Sequence, residues 1–229
     1  MEISELLMKN FGEISEKQIS QFILYHDMLI DWNANRCNLT AVTDTEGVVE
    51  KHFADSCLAS KLIPQHALCI DVGTGAGFPG VPLKIMRPDI KIVLVDSLKK
   101  RVDFLEELVG ALGVEAQCIH ARAEDAGRDG RLREHFDITL TRAVSQTNIL
   151  LEWTSPFLKV GGKSLMYKSR AAEDELLSCD RALSVLGMTV STESFDVPWG
   201  ERVIVCAEKL KKTPPAYPRK AGTAKKKPL

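Results

Sequence analysis

Cys69-Ile70-Asp71-Val72-Gly73-Thr74-Gly75-Ala76-Gly77-Phe78-Pro79-Gly80 decides the reading of this chain. The apolar run Leu68 to Val72 before it has the length of a buried strand, and Val81 to Met86 after it has a helical pattern. Four glycines packed between them let the backbone take positive φ and let a ligand approach where no Cβ stands in the way. Gly75-x-Gly77-x-x-Gly80 also has the spacing of a dinucleotide fingerprint, which alone is a weak signal.

Outward from this loop the same rhythm repeats. Strand-like runs are expected at Ile90 to Val95, Ala116 to His120, Phe136 to Leu140 and Ser164 to Tyr167. Helical stretches alternate with them near Val81–Met86, Leu98–Leu112, Asn148–Leu158 and Ala171–Leu186. Alternation of this kind predicts an α/β fold, a mostly parallel doubly wound sheet with helices on both faces. Met188 to Val197 and Arg202 to Glu208, joined by Pro198-Trp199-Gly200-Glu201, predict a C-terminal antiparallel hairpin. Before the loop, residues from about 4 to 63 read as helical. Ile19, Phe22, Ile23, Leu29 and Ile30 mark one stripe, Val48, Val49, Phe53, Leu58 and Leu62 a second, and Pro64 stops the run. The expected organisation is an N-terminal helical extension (1–65), an α/β domain (66–208) and a basic C-terminal tail (209–229), together one globular unit.

The totals set bounds. A chain of 229 residues, 45% hydrophobic, can bury one sizeable core. No apolar run is long enough to span a membrane, and Met1-Glu2-Ile3-Ser4-Glu5 lacks the pattern of a signal peptide. Six scattered cysteines read as reduced thiols, and no clustered ligands suggest a metal. A cytoplasmic protein is expected, with no sign of a large obligate interface, hence a monomer. The net charge of −1 is uneven: of 30 basic and 31 acidic residues, eight basic and no acidic ones follow Glu208, which leaves the body at −9. Such a tail is either a local patch for a polyanion or a solvated, disordered segment.

Two carboxylates refine the loop. Asp71, two residues before Gly73, is awkward beside a pyrophosphate but suits the ammonium and sulfonium charges of S-adenosylmethionine. Asp96, closing Val93-Leu94-Val95-Asp96, stands where a ribose is held in either cofactor class. A nicotinamide oxidoreductase remains open, although no Tyr-Lys, His or Cys constellation stands at a strand end. So does a catalytically silent RNA-binding protein on the same fold.

Beyond these readings the chain resembles the bacterial small-subunit ribosomal RNA guanine-N7 methyltransferases, the glucose-inhibited division protein B family. The resemblance rests on Trp32-Asn33, Asn38-Leu39-Thr40-Ala41, Lys51-His52-Phe53-Ala54-Asp55-Ser56, the glycine loop through Leu83, Asp96-Ser97-Leu98, and Lys100-Arg101-Val102. The tail Tyr217-Pro218-Arg219-Lys220-Ala221-Gly222 with Lys226, Lys227, Pro228 and Leu229 belongs to it too. It implies a class I (Rossmann-like) methyltransferase that takes S-adenosyl-L-methionine, releases S-adenosyl-L-homocysteine, and acts on 16S ribosomal RNA or the small ribosomal subunit. It also implies a cofactor pocket made of Gly73, Gly75, Gly77, Phe78, Asp96, Ala123, Glu124 and Arg142. Thr141 and Val144 depart from the family's usual serine and aromatic, and Ser169 stands where glycine follows Lys168.

The end of the fourth strand bears on the atom methylated. Thr141-Arg142-Ala143-Val144 holds no Pro-Pro-aromatic loop for an exocyclic amine, and no cysteine is placed for ring-carbon attack. Guanine N7 has a free lone pair and no proton to lose, so alignment and electrostatics would suffice. Arg142 is then a clamp on the cofactor carboxylate or on RNA, or simply a strand-end ion pair. Lys168 is either an RNA contact or a solvated lysine. Lys100 and Arg101 read first as a solvated face and second as a basic patch, and His52 with Asp55, three apart, first as a local hydrogen bond and second as an RNA contact.

Overall fold

The computed structural model describes residues 2–229. Seven strands form one sheet: β1 (Leu68–Val72), β2 (Lys91–Asp96), β3 (Ala116–His120), β4 (Phe136–Arg142), β5 (Leu158–Lys168), β6 (Met188–Phe195) and β7 (Arg202–Lys209). Their order is β3-β2-β1-β4-β5-β7-β6. β1 to β5 are mutually parallel, and β7 runs antiparallel to both β5 and β6. The expected terminal hairpin is therefore present, and it inserts one antiparallel strand into an otherwise parallel sheet.

Side-chain alternation separates the two faces. Ile92 and Leu94 join Phe22, Phe53 and Phe104 in one apolar cluster, while Val93 and Val95 join Ile70, Val72 and Phe157 in another. A third cluster lies beside β7, where Val203, Val205 and Ala207 meet Leu150, Trp153 and Leu186.

The N-terminal helices pack into the first cluster. Helix α1 (Ile3–Phe11) leads to α2 (Glu16–Asn35), whose cap Ser15 accepts from the Gln18 amide in a capping box. The fully buried side chains of α2 are Phe22, Tyr25 and Leu29, with Trp32 nearly so, while Ile19, Ile23 and Ile30 are only partly covered. The buried stripe is thus rotated from the expected one towards its aromatic residues. Residues 45–62 form a continuous run of turns that is π-helical over Val48–Ala54 and 3₁₀ over Leu58–Leu62. The wider turn shifts the later stripe, so that Ala59 and Ile63 are buried in place of Leu58 and Leu62.

Helix α3 (Gly80–Met86) follows the glycine loop, α4 (Lys99–Leu112) follows β2 and ends on left-handed Gly113, and α5 (Thr147–Thr154) follows β4. Two expected boundaries move. The helix expected to run to Leu158 stops at Thr154, and β5 starts at Leu158 rather than Ser164, with a register shift opposite Phe136 and Ile138. Gly161, at φ +86, makes the irregular bend. The stretch expected as one helix over Ala171–Leu186 is two, Ala172–Leu176 and α6 (Asp180–Leu186).

Residues 209–229 are not a solvated string. Lys209, fully buried, donates to Glu134, Ser155 O and Leu158 O, and Arg219 grips the buried carboxylate of Glu152 through Nε and Nη2. Arg128 and Arg133 reach out of the body to the Pro218 and Tyr217 carbonyls. Among the described residues no helix is long and apolar enough to cross a membrane.

Candidate cofactor and active site

Strand order reverses between β1 and β4, and the crevice at such a switch point is where doubly wound sheets receive ligands. The glycine loop leaves β1 here. Asp71 closes it: its Oδ2 accepts from Thr74 Oγ1 at 2.7 Å and from the Gly80 amide at 2.8 Å. Asp71 is fully buried, Oδ1 has no partner among the described residues, and burial pushes the carboxyl up to about 7.

The four glycines divide by task. A Cβ at Gly80 would stand 2.8 Å from Asp71 Oδ2, and one at Gly77 would stand 2.7 Å from the Tyr25 hydroxyl. These two are small because protein presses on them. Gly75, at φ +62, fronts open space, since a Cβ there would meet nothing within 4 Å. Gly73, at φ +75, abuts Val144, whose methyls would lie 3.0 Å from a Cβ at that position.

Asp96 lies nearly buried at the end of β2. Its Oδ2 accepts from the Gly75 amide and its Oδ1 from the Leu98 amide, both at 2.9 Å, which fixes the carboxylate and leaves lone pairs on both oxygens. A cavity of about 150 Å³ opens between Gly73, Asp96, Ala123, Glu124, Val144 and Trp153. A larger groove of about 730 Å³ runs along β3 past Asp125, Asp129 and Arg131, away from the switch point and the glycine loop. The donor set, not the volume, marks the site. A niche walled by the Gly73 backbone, with a ribose-ready carboxylate at Asp96 and open backbone at Gly75, whose amide bonds that carboxylate, fits S-adenosylmethionine.

The far side of the loop holds a charged cluster. Arg142, ending β4, donates through Nη1 to Asp55 Oδ2 at 3.1 Å and to Lys51 O at 2.9 Å. Its guanidinium lies 4.9 Å over the Phe78 ring, and the His52 ring stacks on Phe78 at 4.6 Å. Burial and Arg142 pull His52 down to about 4, so the ring is neutral at pH 7. A neutral ring protonated at Nε2 donates to Thr40 Oγ1 and accepts from Arg142 Nη2. Asp55 and His52 therefore do not bond each other, as their spacing suggested; both bind Arg142. Asp55 Oδ1 also accepts from Arg202 Nε at 2.6 Å and Trp199 Nε1 at 3.0 Å. Ala143, next along, is turned to φ +55.

The remaining expected residues fall as follows. Lys168 is neither solvated nor free, because its Nζ donates to Ser145 O and Glu175 Oε2. Lys100 is exposed, and Arg101 lies 3.7 Å from Asp96. Glu124 is buried, and its Oε1 accepts from the Gly222 amide. Tyr25, Trp199 and Arg202 carry no mark in the sequence that singles them out, and Gly222 stands in the family-like tail pattern without any sign of its contact with Glu124. The Pro198-Trp199-Gly200-Glu201 turn is the one available signal, and by itself it indicates only a hairpin.

Comparison with known proteins matches residues 18–198 to GidB, rRNA small subunit methyltransferase G. The chain belongs to this family. Its relatives named Ribosomal RNA small subunit methyltransferase G include one from Desulfitobacterium hafniense, 46% identical over 95% of this chain and 92% of that protein. Another, from Leuconostoc mesenteroides, is 45% identical over 94% of this chain and 93% of its own length. Among solved structures, M. jannaschii TYW2 in complex with AdoMet superimposes with a TM-score of 0.56 at 17% identity, over 74% of this chain and 80% of that one. At that identity the likeness speaks for the class I methyltransferase fold, and the GidB family assignment rests on the sequence relatives.

Proposed function

We propose that this protein transfers the methyl group of S-adenosylmethionine to N7 of a guanine in 16S ribosomal RNA, acting as a monomer in the cytoplasm on the RNA or on the small ribosomal subunit. One observation carries the reading beyond family membership: the niche of Gly73, Asp96 and Glu124 opens at the switch point and is lined by Val144, two residues past Arg142 at the end of β4. In this reading residues 1–65, 66–208 and 209–229 work as one unit.

S-adenosylmethionine, when bound, supplies a methyl group on a positively charged sulfur. Gly73 and Gly75 let it approach the backbone, Asp96 takes the ribose hydroxyls, and Ala123 and Glu124 border the adenine. Gly77 and Phe78 act one step back, since Gly77 is covered by Tyr25 and Phe78 forms the floor under Arg142 and His52. Arg142, Phe78 and His52 make a fixed rim against which an incoming base is oriented. Guanine N7 presents its lone pair without a proton to remove, so no side chain has to act as base. His52 suits that chemistry, because both ring nitrogens are engaged and its affinity for protons is low.

Methyl-labelled cofactor tests the reading. Label entering small-subunit RNA but not large-subunit RNA is the expected result. Label in neither, from protein shown to bind S-adenosylhomocysteine, would overturn the RNA assignment.

A further inference from the structure

The cofactor niche has a wall that comes from outside the α/β domain. Gly222 and Lys225 line it together with Gly73, Asp96 and Glu124. The Gly222 amide donates to Glu124 Oε1 at 2.8 Å, and the other oxygen of Glu124 has no hydrogen-bond partner among the described residues. Lys225 Nζ stands 5.3 Å over the Trp153 ring on the same side.

Anchoring changes abruptly along this segment. Up to Arg219 the chain is held hard, by the two-pronged Arg219–Glu152 pair and by Arg128 and Arg133 on carbonyls of Tyr217 and Pro218. Past Lys220, the Gly222–Glu124 bond is the single hydrogen bond to the body among the described residues, and the rest of the hold is apolar, from Ala224 and Leu229. The turn Thr223–Lys226 is closed by bonds within the segment itself. A firmly hinged flap with few buried contacts belongs to the low end of local stability.

We propose that residues 221–229 form the adenine-side wall of the cofactor site, with Gly222 and Lys225 as positioning residues, and that cofactor entry and release require this wall to lift. Gly222 orients the Glu124 carboxylate, so that its second oxygen meets the exocyclic amine of the adenine. Lys225 seals the niche by lying against Trp153. This inference rests on the assignment of the niche to S-adenosylmethionine, and it adds a part of the site that lies outside the matched family region, residues 18–198.

The test uses S-adenosylhomocysteine as probe, with the full chain, a chain ending at Lys220 that keeps the Arg219–Glu152 pair, and Lys225→Ala. Calorimetry and stopped-flow dissociation should show about tenfold weaker binding and faster release for the shortened chain, and a smaller loss in the same direction for Lys225→Ala. In the full chain, saturating S-adenosylhomocysteine should slow tryptic cleavage after Lys225 and Lys226. Equal affinity and release rate in a folded shortened chain would overturn the proposal. Should that chain fail to fold, unchanged Lys225→Ala binding with no protection from trypsin would overturn it equally. Failure of the full chain to bind S-adenosylhomocysteine would instead overturn the cofactor assignment itself.

Discussion

The Tyr25 hydroxyl donates to the Ala76 carbonyl oxygen at 2.5 Å, across 51 residues of sequence, and so ties an N-terminal helix to the tip of the glycine loop. Its ring also stacks on Phe78 at 5.4 Å. The loop is held from outside the α/β sheet as well as by its own Asp71. Tyr25→Phe keeps the ring and removes the one donor to a buried carbonyl. We expect a loss of about 1–2 kcal/mol in urea unfolding and weaker S-adenosylhomocysteine binding. Unaltered affinity with unaltered stability would show that the helix does not hold the loop.

Asp71 gives the protein a pH dependence of definite sign. Burial holds its folded carboxyl at about 7, above the ordinary carboxylate range. The folded protein binds this proton more tightly than the unfolded chain. The resulting stabilisation is complete below the ordinary carboxylate pKa and disappears as pH rises to about 7. Asp71→Asn should lose less stability than wild type between pH 5 and pH 8, measured by urea unfolding. A constant gap between the two proteins over that range would contradict the assignment.

Asp55 collects Arg142, Arg202 and Trp199 on one buried carboxylate. Asp55→Ala leaves two guanidinium groups close together without their shared counter-charge. A loss of about 3–5 kcal/mol is expected. Asp55→Asn, which still accepts hydrogen bonds, should lose less. Equal losses in the two variants would mean that hydrogen-bond acceptance at this position contributes nothing without the charge.

Much of the fold can be read from the chain because strand periodicity is local. Leu68–Val72 and Ala116–His120 coincide with their expected bounds, and β2, β4, β6 and β7 come within two residues. The expected β5 starts too late because Lys159, Gly161 and Gly162 at the true start carry no apolar alternation. Asp71 and Asp96 are visible as carboxylates at strand ends. Tyr25 and Arg202 are not, and the pairing of Gly222 with Glu124 is not, since the partners lie 51, 147 and 98 residues away and no spacing rule links them. The tail misleads by composition, as two of its cations are committed to Glu134 and Glu152 rather than to solvent or to RNA.

The cations that remain exposed on the tail include Lys220, Lys226 and Lys227. Replacing these three with Gln spares Arg219 and Lys225. It should flatten the salt dependence of RNA binding, with the log–log slope falling by about 2 if each touches a phosphate. An identical slope would remove these three lysines from the RNA interface.

The most direct test of the central claim is nucleoside analysis of small-subunit RNA after reaction with methyl-labelled S-adenosylmethionine. The account predicts that the label resides in 7-methylguanosine. Label confined to any other nucleoside would contradict the assignment of guanine N7, and with it the base-free chemistry inferred at Arg142, Phe78 and His52.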